Sequence, residues 1–276
     1  MPALETSAIV HEAIVCDRRE PVPGVVILGI RAGDLARASQ PGQFVMAVSP
    51  GGERVSTALG IYEARGDRIS LMLVVVGPRT RELARLAPHD RVTLFGPLGN
   101  GFDLPPLGRD VALVAGGVGL ASLLLPAQRL LAAGANVHLY YGARTSAALV
   151  DEDRFRELGA GVSLATDDGS RGYRGYVTEL LLREGRAHSA IAACGPSPML
   201  HATGIAAAKL GVRAQVSLEE TFACGVGACW GCIVPLDRAS AQAPRFPAPA
   251  PSETRDYVHA RICKDGPVFW TDELRW

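Results

Sequence analysis

The sequence predicts a multidomain chain, with an antiparallel β-barrel first, then an α/β domain on a parallel sheet, then a small cysteine-bearing module. Three observations predict it. Up to residue 104, β-branched runs bounded by Gly, Pro and Asp recur at short intervals, the pattern of a small barrel or sandwich. From 105 to 218, wholly apolar strands alternate with helical segments, as a sheet covered on both faces requires. From 219 to 276 the chain changes again, and CGVGACWGC (224 to 232) holds three of its six cysteines.

The barrel runs are VPGVVILGI (22 to 30), GQFVMAVSP (42 to 50), RISLMLVVVG (68 to 77) and DRVTLFG (90 to 96), with one short helix expected in TRELARLAP (80 to 88). Cys16 falls inside a β run and reads as core. The texture turns at Pro105-Pro106. Beyond it VALVAG, VHLYYG (137 to 142), SLAT (163 to 166), SAIAACG (189 to 195) and AQVSLEE (214 to 220) read as strands, with helices after the first and at 176 to 184 and 197 to 210. RASAQAPRFPAPAPSETR (238 to 255) reads as an irregular spacer before an ordered end.

Composition narrows the partners. The formal net charge is zero, which argues against nucleic acid. The apolar stretch 111 to 125 is shorter than the roughly 20 residues a membrane span needs, and its glycines suit a buried strand, turn and helix. The N-terminus lacks a basic start followed by an apolar run, so a reducing cytoplasm is expected, where clustered cysteines bind metal or do redox chemistry.

Cys224-x4-Cys229-x2-Cys232, with Cys263 further on, is the plant-type ligand pattern for a [2Fe–2S] cluster. Four thiolates offset the charge of two ferric ions, and glycines let backbone N–H groups approach the sulfurs. A four-thiolate zinc site and an inert cysteine loop are the alternatives. In VAGGVGLAS (114 to 122), Gly116, Gly117 and Gly119 lie between a strand and a helix, where a nucleotide's phosphates would meet free N–H groups; a plain strand–helix turn reads the same residues. CGPSPML places Cys194 at the carboxyl edge of the sheet, or simply as a buried small hydrophobe. The six histidines have no metal-binding spacing, and no nucleophile stands with a base, so no catalytic acid, base or nucleophile is expected.

Together PGQFVM, GPLGNGF, AGGVG, YYGART, TDDGSRGYRGYVTELL, CGPSPML, CGVGACWGC and ICKDGPVF resemble the electron-transfer subunits of class B dihydroorotate dehydrogenases, which are ferredoxin-reductase-like flavoproteins, over nearly the whole chain. The resemblance implies an FAD-binding barrel, an NAD-binding middle domain and a [2Fe–2S] domain. It implies hydride exchange between nicotinamide and flavin, and single electrons passing through the cluster to or from an FMN-bearing catalytic partner subunit. It also implies a heterotetramer of two subunits of each kind, in pyrimidine biosynthesis. By the same resemblance Cys194 and Gly195 lie near the nicotinamide. The flavin falls on Thr57, Ala58, Leu59 and Gly60, on Met72, Leu73 and Val74, and on Arg79 and Thr80.

Four places depart from the family. An R-P-x-S stretch is replaced by Thr57-Ala58-Leu59-Gly60, a second arginine by Val74, and a proline after the glycine turn by Ser122. Arg79 stands where the family has glycine, so it, or Arg54, can supply the missing charge to the flavin phosphates. Otherwise FAD binds weakly, or another flavin or none is used. The alternative functions are an NAD(P)H-linked subunit serving a hydrogenase or transhydrogenase-type partner, and a flavin-free iron–sulfur redox sensor. Arg144 leaves NADP open beside NAD.

Overall fold

The computed structural model describes residues 9–50, 56–104, 109–184, 187–239 and 256–276. Arg54, Pro105-Pro106 and nearly all of the 238–255 spacer lie outside them. Six strands close a barrel: β1 (Ile9–Val22), β2 (Val25–Arg31), β3 (Phe44–Val48), β4 (Thr57–Arg65), β5 (Arg68–Val74) and β6 (Arg91–Leu98), in the order β1-β2-β5-β4-β3-β6. Two short helices, α1 (Gly33–Ala38) and α2 (Pro78–Ala84), lie in its connections. The unbroken apolar run of β2 has a physical cause. Val26, Leu28 and Ile30 fill the barrel, while Val25 and Ile27 on the opposite face pack into the core shared with the α/β domain. The strand is therefore buried on both faces.

A seven-stranded sheet follows, six of whose strands are β7 (Asp110–Gly116), β8 (Asn136–Ala143), β9 (Gly161–Thr166), β10 (Tyr173–Arg174), β11 (Ala190–Cys194) and β12 (Ala214–Ser217), the seventh coming from the C-terminal segment. Helices α3 (Leu124–Ala132), α4 (Asp153–Glu157), α5 (Val177–Glu184) and α6 (Ser197–Leu210) connect its parallel strands. All seven residues of β7 but the first are buried, so the apolar stretch is core, and among the described residues no helix is long and apolar enough to cross a membrane.

The C-terminal segment forms a two-stranded ladder, β13 (Ile233–Asp237) with β14 (Tyr257–Arg261), followed by the single turn α7 (Ile262–Asp265) and by β15 (Val268–Trp270). The last strand pairs antiparallel with β12 in the central sheet. The cysteine-bearing segment is thus bonded into the α/β sheet, and Cys232, Cys263 and Leu236 share one core with Val114, Val216 and Phe269.

A polar clasp joins the barrel to the α/β domain. Arg19 grips Asp151 through two N–H groups at 2.6 Å, and the buried hydroxyl of Tyr62 donates to the same carboxylate. Nearby, Glu63 accepts from Gln128 at 2.6 Å and from Arg154 at 2.8 Å. Burial pushes the Asp151 carboxyl up, but the Arg19 and Tyr62 hydrogen bonds outweigh it and hold the group below its ordinary value.

Candidate functional site

Two loops at the carboxyl edge of the parallel sheet press together, which is where open α/β sheets take ligands. A Cβ on Gly116 would lie 2.6 Å from Met199 Sδ, and one on Gly119 would lie 2.3 Å from the Cys194 carbonyl oxygen. A Cβ on Gly195, at φ +155, would lie 3.0 Å from the Gly116 Cα. These three glycines are required by packing between the loops. Gly117 differs: its φ is +54 and nothing lies within 4 Å of the position a Cβ would take, so its backbone faces open space. The turn does not enter an α-helix directly, as the sequence suggests. Residues 117 to 122 form a 3-10 segment, and α3 begins only at Leu124, with Pro126 in its first turn, where a missing N–H costs nothing. The approaching groups are therefore those of a tight turn and not the first N–H groups of a helix.

Cys194 is fully buried at the end of β11, and its thiol donates to Glu219 Oε1 at 3.5 Å. Burial pushes this thiol well up, the Glu219 charge adds to the effect, and the facing hydroxyls of Ser122 and Ser217 oppose it. Glu219 itself is exposed as a residue, yet its carboxyl is crowded by protein, which pushes it up; a group on the floor of an open crevice has both properties. Sequence reasoning missed Glu219 by extending the strand to 220. The strand ends at Ser217, which frees Glu219 to turn toward Cys194.

The barrel side of the crevice comes from the start of β4. Strand alternation divides the four residues that replace the family's motif. Leu59 lies in the barrel core, while Ala58 packs outward against the core shared with the cysteine segment. Gly60 shares the outer face, and a Cβ there would lie 3.1 Å from Ser122 Oγ. Leu73 likewise points into the barrel, and Met72 packs outward beside Tyr62 and Leu120. Leu59 and Leu73 therefore have only backbone to offer a ligand. The Thr80 hydroxyl accepts from Val76 N at 3.0 Å and Gly77 N at 3.1 Å, which fixes the start of α2. Val74 is half-buried opposite Val25. Arg79 reaches across the gap, with Nη1 3.3 Å from the Ser56 carbonyl, beside Thr57, whose buried Oγ1 has no partner. A cation and an orphaned buried hydroxyl at the start of β4 fit a phosphate-bearing cofactor.

The cysteine loop (224 to 232) packs against the barrel rather than standing clear of it. A Cβ on Gly225, at φ +69, would lie 2.7 Å from Met46 Cγ, and Phe222 meets Phe44 with ring centroids 4.9 Å apart. All six cysteines are free thiols. Among the described residues no three metal-binding side chains converge on a single point. The thiols instead fall in two pairs, Cys224 with Cys229 and Cys232 with Cys263, as a two-metal cluster needs. Gly227 N donates to Cys263 Sγ at 3.2 Å, and Cys263 N to Cys232 Sγ at 3.4 Å. At Cys224, desolvation is outweighed by the N–H groups of Cys229, Val226 and Ala228, which bring the thiol down to about 6. At Cys263, burial and the neighbouring Cys232 push it up to about 12. Cys16, expected in the core, is half-buried at a bulge in β1 where the register slips between Val15 and Asp17.

Barrel, parallel sheet and crevice define an NAD-linked oxidoreductase of ferredoxin-reductase-like architecture. Residues 113–204 match the model of an oxidoreductase NAD-binding domain. The chain is 27% identical, with a TM-score of 0.80, to the structure of an NADH-dependent reduced ferredoxin-NADP oxidoreductase, covering 96% of this chain and 90% of that one. A ferredoxin NADP+ reductase from Neisseria gonorrhoeae, solved with FAD and NADP, shares the fold at 19% identity and a TM-score of 0.60 over 73% of this chain and 92% of its own. Among curated relatives, the dihydroorotate dehydrogenase B (NAD(+)) electron transfer subunit of Desulforamulus reducens is 34% identical over 92% of this chain and 94% of its own. That of Geobacillus thermodenitrificans is 35% identical over 87% and 88%. The chain belongs to the family of dihydroorotate dehydrogenase B (NAD(+)) electron transfer subunits.

Proposed function

We propose that this chain holds FAD at the outer face of β4, NAD in the crevice, and a [2Fe–2S] cluster on Cys224, Cys229, Cys232 and Cys263. It would exchange electrons with a catalytic dihydroorotate-oxidising flavoprotein subunit in a two-plus-two assembly in the cytoplasm. The observation that carries this reading is Met46. On β3 it pairs with Ala58 of the flavin segment, and its side chain presses on Gly225 of the cysteine loop. One strand therefore separates the flavin segment from the cluster loop.

When bound, the flavin supplies the conversion between two-electron exchange with a nicotinamide and one-electron exchange with the cluster. The chain's own residues bind and orient. Gly117 leaves room for backbone approach, Arg79 offers charge to a phosphate, and Ala58 and Gly60 offer a flat outer face. Burial raises both the Cys194 thiol and the Glu219 carboxyl above their ordinary values. No general base is required of the protein. Beside the loop, Val226, Trp230 and Ile233 are 41, 46 and 45% exposed, an apolar face suited to the partner.

A second reading, service to a transhydrogenase-type partner, is favoured by the likeness to the NADH-dependent reduced ferredoxin-NADP oxidoreductase over 96% of this chain. Visible spectra of anaerobically purified protein test the cofactors. We expect released FAD together with iron and sulfide, and bleaching on addition of NADH. Iron–sulfur absorbance with no flavin, even after incubation with FAD, would sink the proposal in favour of a redox sensor. Supplying each candidate catalytic subunit then separates the two partner readings.

A further inference from the structure

Two residues that are separate oddities in sequence meet in space. Gly60 belongs to a barrel strand and Ser122 to the segment after the glycine turn, yet the position of a Cβ on Gly60 is 3.1 Å from Ser122 Oγ. That distance is tighter than ordinary packing, so a side chain at 60 and the hydroxyl at 122 compete for one space. Ser122 is 8% exposed. Its hydroxyl also faces the thiol of Cys194, which donates onward to Glu219 Oε1 at 3.5 Å. A hydroxyl gives one proton and keeps two lone pairs, so Ser122 can donate to sulfur and still accept a hydrogen bond.

We infer that Ser122 is a positioning residue of the crevice. Its hydroxyl, inserted into the space that Gly60 leaves bare, orients the Cys194 thiol toward Glu219 and presents an acceptor for the carboxamide N–H of a nicotinamide. This rests on the reading of the crevice as the nicotinamide site. The glycine at 60 and the serine at 122 form one device, in which the barrel strand gives up its side chain so that the α/β domain can place a hydroxyl against it. A hydroxyl carried by residue 60 would project into the same space from the opposite wall.

The geometry makes a reciprocal test. Ser122→Ala should slow NADH oxidation by about tenfold through the loss of one hydrogen bond to an ordered group, with flavin content unchanged. Gly60→Ser alone should also be impaired, because two groups then crowd one space. The double variant Gly60→Ser with Ser122→Ala should recover most of the rate. A readout independent of turnover is the infrared S–H stretch of Cys194, identified by its loss in Cys194→Ala. It should shift in Ser122→Ala and move back in the double variant. A double variant no better than Ser122→Ala, or an S–H band unmoved by Ser122→Ala in protein that binds NAD, overturns the inference alone. Failure of the unaltered protein to bind NAD by fluorescence titration overturns the underlying reading and this one with it.

Discussion

The crevice and the cysteine loop are both built from glycine and cysteine, but they are held together by opposite means. In the crevice, Gly116, Gly119 and Gly195 let two loops touch backbone to backbone, and Cys194 between them is fully buried. Its shape is fixed by the core before any ligand arrives. In the loop, Cys229 is exposed and Cys224 is half-buried, and their order comes from backbone N–H groups aimed at sulfur. That arrangement is complete only when something ties the two thiol pairs together. A dinucleotide needs a pre-formed surface against which to lie, whereas a metal cluster supplies its own bonds and needs only ligands within reach.

The comparison can be broken most sharply at the loop. Cys232→Ser should abolish cluster assembly, so that iron and the visible cluster absorbance fall to background while NAD affinity stays within about twofold, since the crevice does not depend on the cluster. Iron analysis and NAD titration on the same protein check both halves. At the crevice the reverse is expected. Gly119→Ala drives a methyl into the Cys194 carbonyl, and overpacking of this kind costs about 1–3 kcal/mol, here toward the upper end. Denaturant unfolding should report that loss, with NAD affinity falling and iron retained.

The clasp between the domains gives an effect of similar size that leaves both sites intact and depends on pH. Asp151 lies below its ordinary value in the folded chain, so it stabilises the fold above the unfolded carboxylate pKa of about 3.9 and loses that contribution as pH falls through its lower folded value. Asp151→Asn should cost about 1.5–3 kcal/mol at neutral pH, the range for a hydrogen bond to a charged group. The difference between variant and parent should shrink on acidification below about pH 4. Thermal unfolding across pH checks this; a constant difference would show that Asp151 acts by shape and not by charge.

Most of the architecture was legible because burial on both faces writes itself as unbroken apolar runs. Val25 to Ile30 and Val111 to Ala115 could be placed by that signal alone. The elements that escaped lack it. The first strand carries CDRREP on a largely exposed stretch, and TALGIYEAR mixes helix-forming residues into β4. Three residues, VFW, are too few to announce β15. At the site, the cysteine spacing was readable because metal ligation demands particular residues at short range. Glu219 was not, and Gly60 showed only through the family resemblance, since their surroundings come from which segments lie side by side. Ser122 showed in sequence only as a missing proline; its meaning required the 3.1 Å approach to Gly60.

The two-stranded ladder near the C-terminus has a bearing on how freely this chain can vary. Ile233 is registered opposite Arg261 and Asp237 opposite Tyr257, and Ile262 N bonds back to the Cys232 carbonyl at 2.8 Å. This ladder acts as the ruler that delivers Cys263 to Cys232. The number of residues between those cysteines is a free variable, because lengthening a connection whose ends are pinned costs little. A slip of one rung would instead turn every side chain on the strand to its other face and carry the last sulfur away from its pair. Insertions in the connection are therefore tolerable, whereas an insertion within 233–237 or 257–261 is not.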